Sequence, residues 1–214
     1  AGDDYPWDPH TYVASRWPKA LNAMAGAFFF TLFLTLFNYW AFIIKGPLPV
    51  QIIVALFDLL LLLVWRETVR RVRHALKYGH SAILFSRFPY RVGAPVVLTW
   101  RPPTGMTQIE SGTFVLRCVA EWWESAGQGD NSSSHMVHEQ RWAGTWHADT
   151  PLSIRQAMPI LVDFDVPADL PGTSLAAAQP IFWEFEVRLR VSGVDFHETY
   201  LVPVYASEAT RAPS

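Results

Sequence analysis

His135 and His138, followed by Glu139, come nearest to a pattern that could do chemistry. Two histidines beside a carboxylate suggest a metal-activated water. The metalloprotease signature, however, needs a helix, two histidines four apart and a glutamate next to the first of them. On a strand, residues three apart point to opposite faces, so these histidines are expected at an exposed loop or edge. His74, His80, His147 and His197 are scattered, and no spacing gathers three of them into a zinc site. No serine lies in a Gly-X-Ser-X-Gly setting and no Gly-rich phosphate loop is present. The single cysteine, Cys118, lies in an alternating apolar run, where a buried inert thiol is expected. The expectation is therefore a non-enzymatic protein with no catalytic residue, no metal and no cofactor.

Asp58 is the other chemically notable residue, because it interrupts an otherwise apolar run from Val50 to Trp65. A longer run, Ala20 to Ile44, precedes it, and only Lys45-Gly46-Pro47-Leu48-Pro49 separates the two. The first holds no charge between Lys19 and Lys45 and reaches about 37 Å as a helix, enough to span a bilayer with some tilt. In the second, a central Asp costs about 2.5 to 3.5 kcal/mol to insert. Each surrounding Val, Ile, Leu or Phe returns about 0.3 to 0.6 kcal/mol, so insertion wins. Both runs are apolar on every face, as in Phe28-Phe29-Phe30 and Leu59 to Leu63, which suits lipid better than a soluble core.

Folding the chain about the turn brings residues whose numbers sum to roughly 94 to one depth. Asp58 then falls within a turn of Asn38, and a hydrogen bond between them is the structural reading of both. The alternatives are a polar contact with a partner's helix and a proton relay. Two helices alone enclose no proton path, which disfavours the relay.

Orientation follows from the flanks. Arg66, Arg70, Arg71, Arg73 and Lys77 crowd the end of the second helix, opposed only by Glu67, and Arg16 and Lys19 precede the first. The positive-inside rule then places both termini in the cytoplasm and the chain in the inner membrane, crossing it twice. The basic stretch also attracts anionic lipid. It is too small for nucleic-acid binding in a chain of net charge −2. No cleavable signal peptide is expected, since the first apolar run is too long and acidic residues precede it. A lone cysteine accords with a reducing compartment. The N-terminal stretch carries Tyr5, Trp7, Tyr12 and Trp17 among prolines. It is expected to lie on lipid headgroups or on a neighbouring membrane protein.

From Tyr78 onward the chain alternates apolar and polar residues between turn signals, as strands of an antiparallel β-sandwich do. Strands are expected over Ala82–Phe85, Val96–Trp100, Gly112–Trp123, His138–Trp146 and Ile160–Val166. A hairpin follows, from Trp183–Val191 through Ser192–Asp195 into Phe196–Tyr205. Gly127–Ser134 is expected as a flexible tip and Pro167–Gly172 as a turn. The chain has ten tryptophans. Of these, Trp122, Trp123, Trp142 and Trp146 fall on one expected strand pair, and alternation sends Trp122 and Trp123 to opposite faces. The outer ring needs cover by a protein partner, by membrane or carbohydrate, or by a loop of its own domain.

The run Phe164-Asp165-Val166-Pro167-Ala168-Asp169-Leu170-Pro171, then Ile181 to Val187, Gly193-Val194-Asp195-Phe196 and Val202-Pro203-Val204, resembles the C-terminal half of an arrestin-like β-sandwich. From Ala20 onward the chain is similar to a group of uncharacterised bacterial proteins that place such a sandwich after two transmembrane helices. In them a basic stretch and a Tyr/Phe-Gly-X-Ser element, here Tyr78-Gly79-His80-Ser81, enter the first strand. The resemblance implies an adaptor-like domain and no activity.

The expected architecture is an α+β membrane protein. An aromatic arm (1–19) precedes a transmembrane hairpin with a basic helical extension (20–77), an arrestin-like antiparallel β-sandwich (78–206) and a tail (207–214). The expected function is a non-catalytic accessory or scaffold subunit of a larger membrane complex, respiratory or photosynthetic, with lipid and integral membrane proteins as partners. The alternative is a free-standing tethered binding module. Interaction residues are expected at Tyr5, Trp7, Tyr12, Trp17, Asn38, Asp58, Arg70, Arg71, Arg73, Trp122 and Trp123.

Overall fold

The computed structural model describes residues 5–126, 133–148, 151–153 and 158–207. The chain divides into two compact units, Ser15–His80 and a second one made of Ala1–Ala14 with Ser81–Ser214. The proposed tip at Gly127–Ser134 and the tail fall largely outside the described residues; Ser133 and Ser134 already belong to a strand.

The smaller unit is a helical hairpin: α1 (Trp17–Asn38), a π-helical turn (Tyr39–Ile43) and α2 (Leu48–Tyr78). Proline opens both helices, where its missing N–H is not needed. The connecting turn has Lys45 in the left-handed region at φ 59°, and the Gly46 N–H donates to the Ala41 carbonyl at 3.1 Å. What holds the helices together is a seam of period seven. Ala20, Ala27 and Leu34 of α1 and Ala41 of the π-helical turn are buried, as are Val54, Thr68 and Ala75 of α2, with Leu61 half-buried between. Period-seven spacing keeps one stripe facing its partner, and small side chains let the backbones approach closely. α2 runs unbroken for 31 residues, so the expected second span and its basic extension are one helix. It ends at Gly79, whose φ of +42° favours glycine and whose N–H donates to the Ala75 carbonyl at 2.7 Å.

The larger unit is built from β1 (Thr11–Ser15), β2 (His80–Phe85), β3 (Tyr90–Arg91), β4 (Pro95–Arg101), β5 (Gln108–Ile109), β6 (Ser111–Ala126), β7 (Ser133–Ala148), β8 (Leu152–Ser153), β9 (Ile160–Asp165), β10 (Ile181–Arg190), β11 (Phe196–Val202) and β12 (Val204–Tyr205). One sheet has the order β1-β2-β4-β9 and the other β11-β10-β6-β7; β3–β12 and β5–β8 are short accessory pairs. Alternation along the strands sends one side chain in two between the sheets. Trp100 of the first sheet meets Phe114 and Phe196 of the second at ring separations of 5.7 and 5.6 Å, and Phe164 meets Phe185 at 6.1 Å. Trp100, Trp183, Tyr200 and Phe114 are completely enclosed. This is a β-sandwich.

Two expectations change. The aromatic arm supplies the edge strand β1. The Phe85 N–H donates to the His10 carbonyl at 3.0 Å, the Thr11 hydroxyl donates to the Ile83 carbonyl at 3.0 Å, and Tyr12 packs edge-on to Tyr200. The backbone hydrogen bonds that strand pairing supplies, together with a core-facing tyrosine, are satisfied better here than on a headgroup layer. The last expected strand breaks at Pro203, which lacks the N–H a ladder needs. Its remainder, β12, pairs in parallel with β3, the one parallel pair among the described strand pairings.

Candidate functional site

Hairpin chemistry centres on Asn38 and Asp58. Asn38 Nδ2 donates to Asp58 Oδ1 at 2.9 Å and to the Leu34 carbonyl at 3.1 Å, which makes the expected interhelical hydrogen bond. Asp58 Oδ2 accepts none from a described residue. Other polar side chains of the hairpin also bond within it. Trp65 Nε1 donates to the Thr31 hydroxyl at 3.0 Å, Thr68 back-bonds to the Val64 carbonyl at 2.8 Å, and Gln51 Nε2 closes the turn on the Gly46 carbonyl at 2.9 Å.

Outside this seam the hairpin is apolar and uncovered. Phe28, Phe29, Leu36 and Leu62 are each at least 66% exposed. Both helices are long and apolar enough to cross a membrane by length and composition. Near the turn, Phe33, Phe37, Trp40, Ile53 and Phe57 line a groove of about 330 Å³ with no polar wall.

At the basic end, Glu67 takes Arg70 and Arg71 at 2.9 Å each, pairs that solvent makes weak. Arg73 is exposed and has no ion-pair partner among the described residues. Trp17 is half-buried at the start of α1. Beside it the Arg16 guanidinium contacts His74 Nδ1 at 3.2 Å and lies over the Tyr78 ring at 5.5 Å.

In the sandwich, the Tyr5 and Trp7 rings meet at 4.6 Å, tilted by 53°, and Trp7 Nε1 donates to the Tyr205 hydroxyl at 2.9 Å. Tyr5, Trp7 and Tyr12 are therefore engaged by the chain's own residues, and burial chiefly pushes the Tyr12 phenol up to about 12. Trp122 is half-buried opposite Val137, while Trp123 is 66% exposed opposite Met136. Alternation separated the two rings as expected. Trp142 and Trp146 face inward, against Trp183 at 5.6 Å and Phe114 at 5.3 Å. His135 and His138 lie on opposite faces of β7, beside Glu124 at 3.8 Å and Glu121 at 3.9 Å. No group of three metal-ligating side chains occurs among the described residues. Cys118 is buried, and loss of solvation pushes its thiol up to about 11, where it is a poor nucleophile at neutral pH.

One cluster escaped the sequence reading. Glu186, only 2% exposed, lies on the outer face of the β11-β10-β6-β7 sheet. Its Oε1 accepts from Arg188 Nε at 2.5 Å and His197 Nε2 at 2.6 Å, and its Oε2 pairs with Arg117 Nη2 at 3.1 Å. Arg117 Nη2 also reaches Glu184 Oε1 at 2.6 Å. Burial alone would raise the Glu186 carboxyl, but the hydrogen bonds from Arg188 and His197 and the Arg117 charge outweigh it and hold it below its usual range. The alternation of Glu184, Glu186, Arg188 and Arg190 was visible in the sequence; the register that adds Arg117 and His197 was not.

No protein-family model matches the chain, and no curated protein matches it. Among solved structures, the sporulation control protein Spo0M from Bacillus subtilis is similar at 14% identity and a TM-score of 0.40. The match covers 58% of this chain and 48% of Spo0M, about half of that protein's length.

Proposed function

We propose that the chain is a non-catalytic membrane-anchored accessory or scaffold subunit, whose hairpin crosses the inner membrane with both termini cytoplasmic and docks beside the helices of a larger complex. The observation that carries this reading is the hairpin surface: large apolar side chains on both helices stand uncovered around a carboxyl group with one oxygen unpartnered. A soluble core helix buries its apolar face, whereas these residues need lipid or a partner. An intramembrane carboxyl is costly to insert, and a polar side chain from a neighbouring helix would satisfy its second oxygen. The apolar groove near the turn offers that neighbour a place to pack. Respiratory and photosynthetic complexes are hosts of the kind that carry such subunits.

A second reading, a free-standing tethered module, draws on Trp123 exposed on the β6–β7 ribbon and on the arrestin-like resemblance of the C-terminal strands. Mass spectrometry of the complex purified from membranes in mild detergent separates the two. Recovery at a fixed ratio with other integral membrane proteins is the expected result. Recovery as a lone monomer or homo-oligomer overturns the accessory-subunit reading in favour of the module.

A further inference from the structure

Arg66, Arg70 and Arg73 stand at i, i+4 and i+7 on α2, so their side chains leave one face of the helix within about 60° of arc and about 10 Å of its length. All three are exposed. Because α2 runs unbroken from Leu48, its length also sets their depth. With the turn at the far edge of a hydrocarbon layer about 30 Å thick, Arg66 lies about 27 Å along the helix and Arg73 about 38 Å. Arg66 therefore reaches the edge of the hydrocarbon, while Arg70 and Arg73 stand in the headgroup layer on the cytoplasmic side. Toward the turn, the same face carries Leu59, Leu62 and Leu63, each more than half exposed.

Positive charge on this segment exceeds what the chain supplies against it. Glu67 is the one acidic residue between Arg66 and Arg73, and it takes Arg70 and Arg71. Arg66 and Arg73 have no ion-pair partner among the described residues. Four guanidinium groups against one carboxylate leave three positive charges in excess. Nor does α1 offset them, since it holds no charge between Lys19 and Lys45. A guanidinium presents a pair of N–H groups that matches two phosphate oxygens. At the depth of the lipid phosphates, an anionic headgroup whose chains run down over Leu59, Leu62 and Leu63 meets the charge and the apolar surface together. A zwitterionic headgroup brings a cation that this face repels.

We propose that this face of α2 is a binding site for an anionic phospholipid of the cytoplasmic leaflet, with Arg66 and Arg73 on the phosphate and the acyl chains along Leu59, Leu62 and Leu63. Arg70 is held back by Glu67. Diffuse attraction between a basic flank and a charged membrane retains no particular molecule, whereas this site holds one lipid per chain and selects it by headgroup charge. The inference rests on the hairpin crossing the membrane with its basic end cytoplasmic, and not on whether a larger complex surrounds it.

The test is native mass spectrometry of the full chain in neutral detergent, with phosphatidylglycerol or phosphatidylcholine of the same acyl chains added. One phosphatidylglycerol per chain is expected, held about tenfold more tightly than phosphatidylcholine. Arg73→Gln and Arg66→Gln, which break no internal ion pair, should each weaken retention about tenfold, with folding checked by circular dichroism. Glu67→Gln, which releases Arg70, should strengthen it. Lys45→Gln, at the opposite end of the hairpin, should leave it unchanged. Equal retention of the two lipids, or equal weakening by Lys45→Gln, would reduce the face to general charge attraction and overturn the proposal. Displacement of the lipid by millimolar inorganic phosphate would assign the site to a free phosphate and overturn it as well. Alkaline carbonate extraction from phosphatidylcholine vesicles tests the premise separately. A chain released by alkali would refute the membrane crossing and the site with it, whereas a chain that stays inserted yet retains no phosphatidylglycerol would refute the site alone.

Discussion

Replacing Asp58 by leucine pulls two energies in opposite directions, and the structure sets the size of each. Inserting α2 becomes easier, because an Asp that costs about 2.5 to 3.5 kcal/mol gives way to a Leu that returns about 0.3 to 0.6 kcal/mol, a gain of about 3 to 4 kcal/mol. Hairpin association becomes weaker, because the 2.9 Å hydrogen bond from Asn38 is lost. Asn38 keeps one amide N–H on the Leu34 carbonyl at 3.1 Å while its other N–H loses its acceptor, and the double-mutant cycle separates that stranded donor from the interhelical bond itself. Interhelical bonds of this kind are worth about 0.6 kcal/mol and at most about 1.7 kcal/mol. A double-mutant cycle with Asn38→Leu and Asp58→Leu should therefore give a coupling near 0.6 to 1.7 kcal/mol, about 3- to 20-fold in the association constant. Glycosylation mapping in microsomes reads the insertion term, and steric trapping of the hairpin in bicelles reads the association term. Coupling indistinguishable from zero would refute the pairing. Insertion of α2 that is no better with leucine would refute the membrane energetics.

Two further outcomes are expected in the sandwich. Tyr200→Phe removes a hydroxyl that accepts from Trp100 Nε1 at 3.0 Å and donates to the Ser81 hydroxyl at 2.6 Å. The buried indole N–H it strands should cost about 1 to 3 kcal/mol, read as a lower urea midpoint at unchanged slope; an unchanged midpoint would mean the network contributes nothing. Glu186 has a native carboxyl below its ordinary 4.5, so the native state binds fewer protons than the unfolded one as acid is added. Its stabilisation is complete above about pH 4.5 and fades as pH falls through the lower native value. The stability gap between wild type and Glu186→Gln should thus narrow from pH 6 to pH 3 in denaturant titrations; a gap that stays constant or widens would contradict that sign.

Most of the architecture was legible in local patterns. Continuous apolar runs split by a Gly-Pro turn identify a helical hairpin, and alternation identifies the long strands β6 and β10, because both signals follow from backbone periodicity alone; β7 was expected only over His138–Trp146, and a bulge at Arg141 breaks its alternation. The depth rule for an antiparallel pair was enough to put Asn38 beside Asp58. The period-seven alanine seam was also written in the sequence. It went unread because the surrounding Leu and Phe are apolar on every side and mask a stripe defined by side-chain size.

The arm is a different matter. Thr11–Ser15 carries no strand signal stronger than its aromatic content, and only the unpaired edge of β2 turns it into β1. The Glu186 cluster is likewise a tertiary fact. His197, Arg188 and Arg117 come together through two strand registers that a sequence cannot specify, since a slip of one residue would send every side chain to the other face. By itself, then, the sequence determined the helical hairpin, most of the long strands and where the large apolar surface lies. Only packing between distant strands decided which charges meet, because that depends on the core selecting one register.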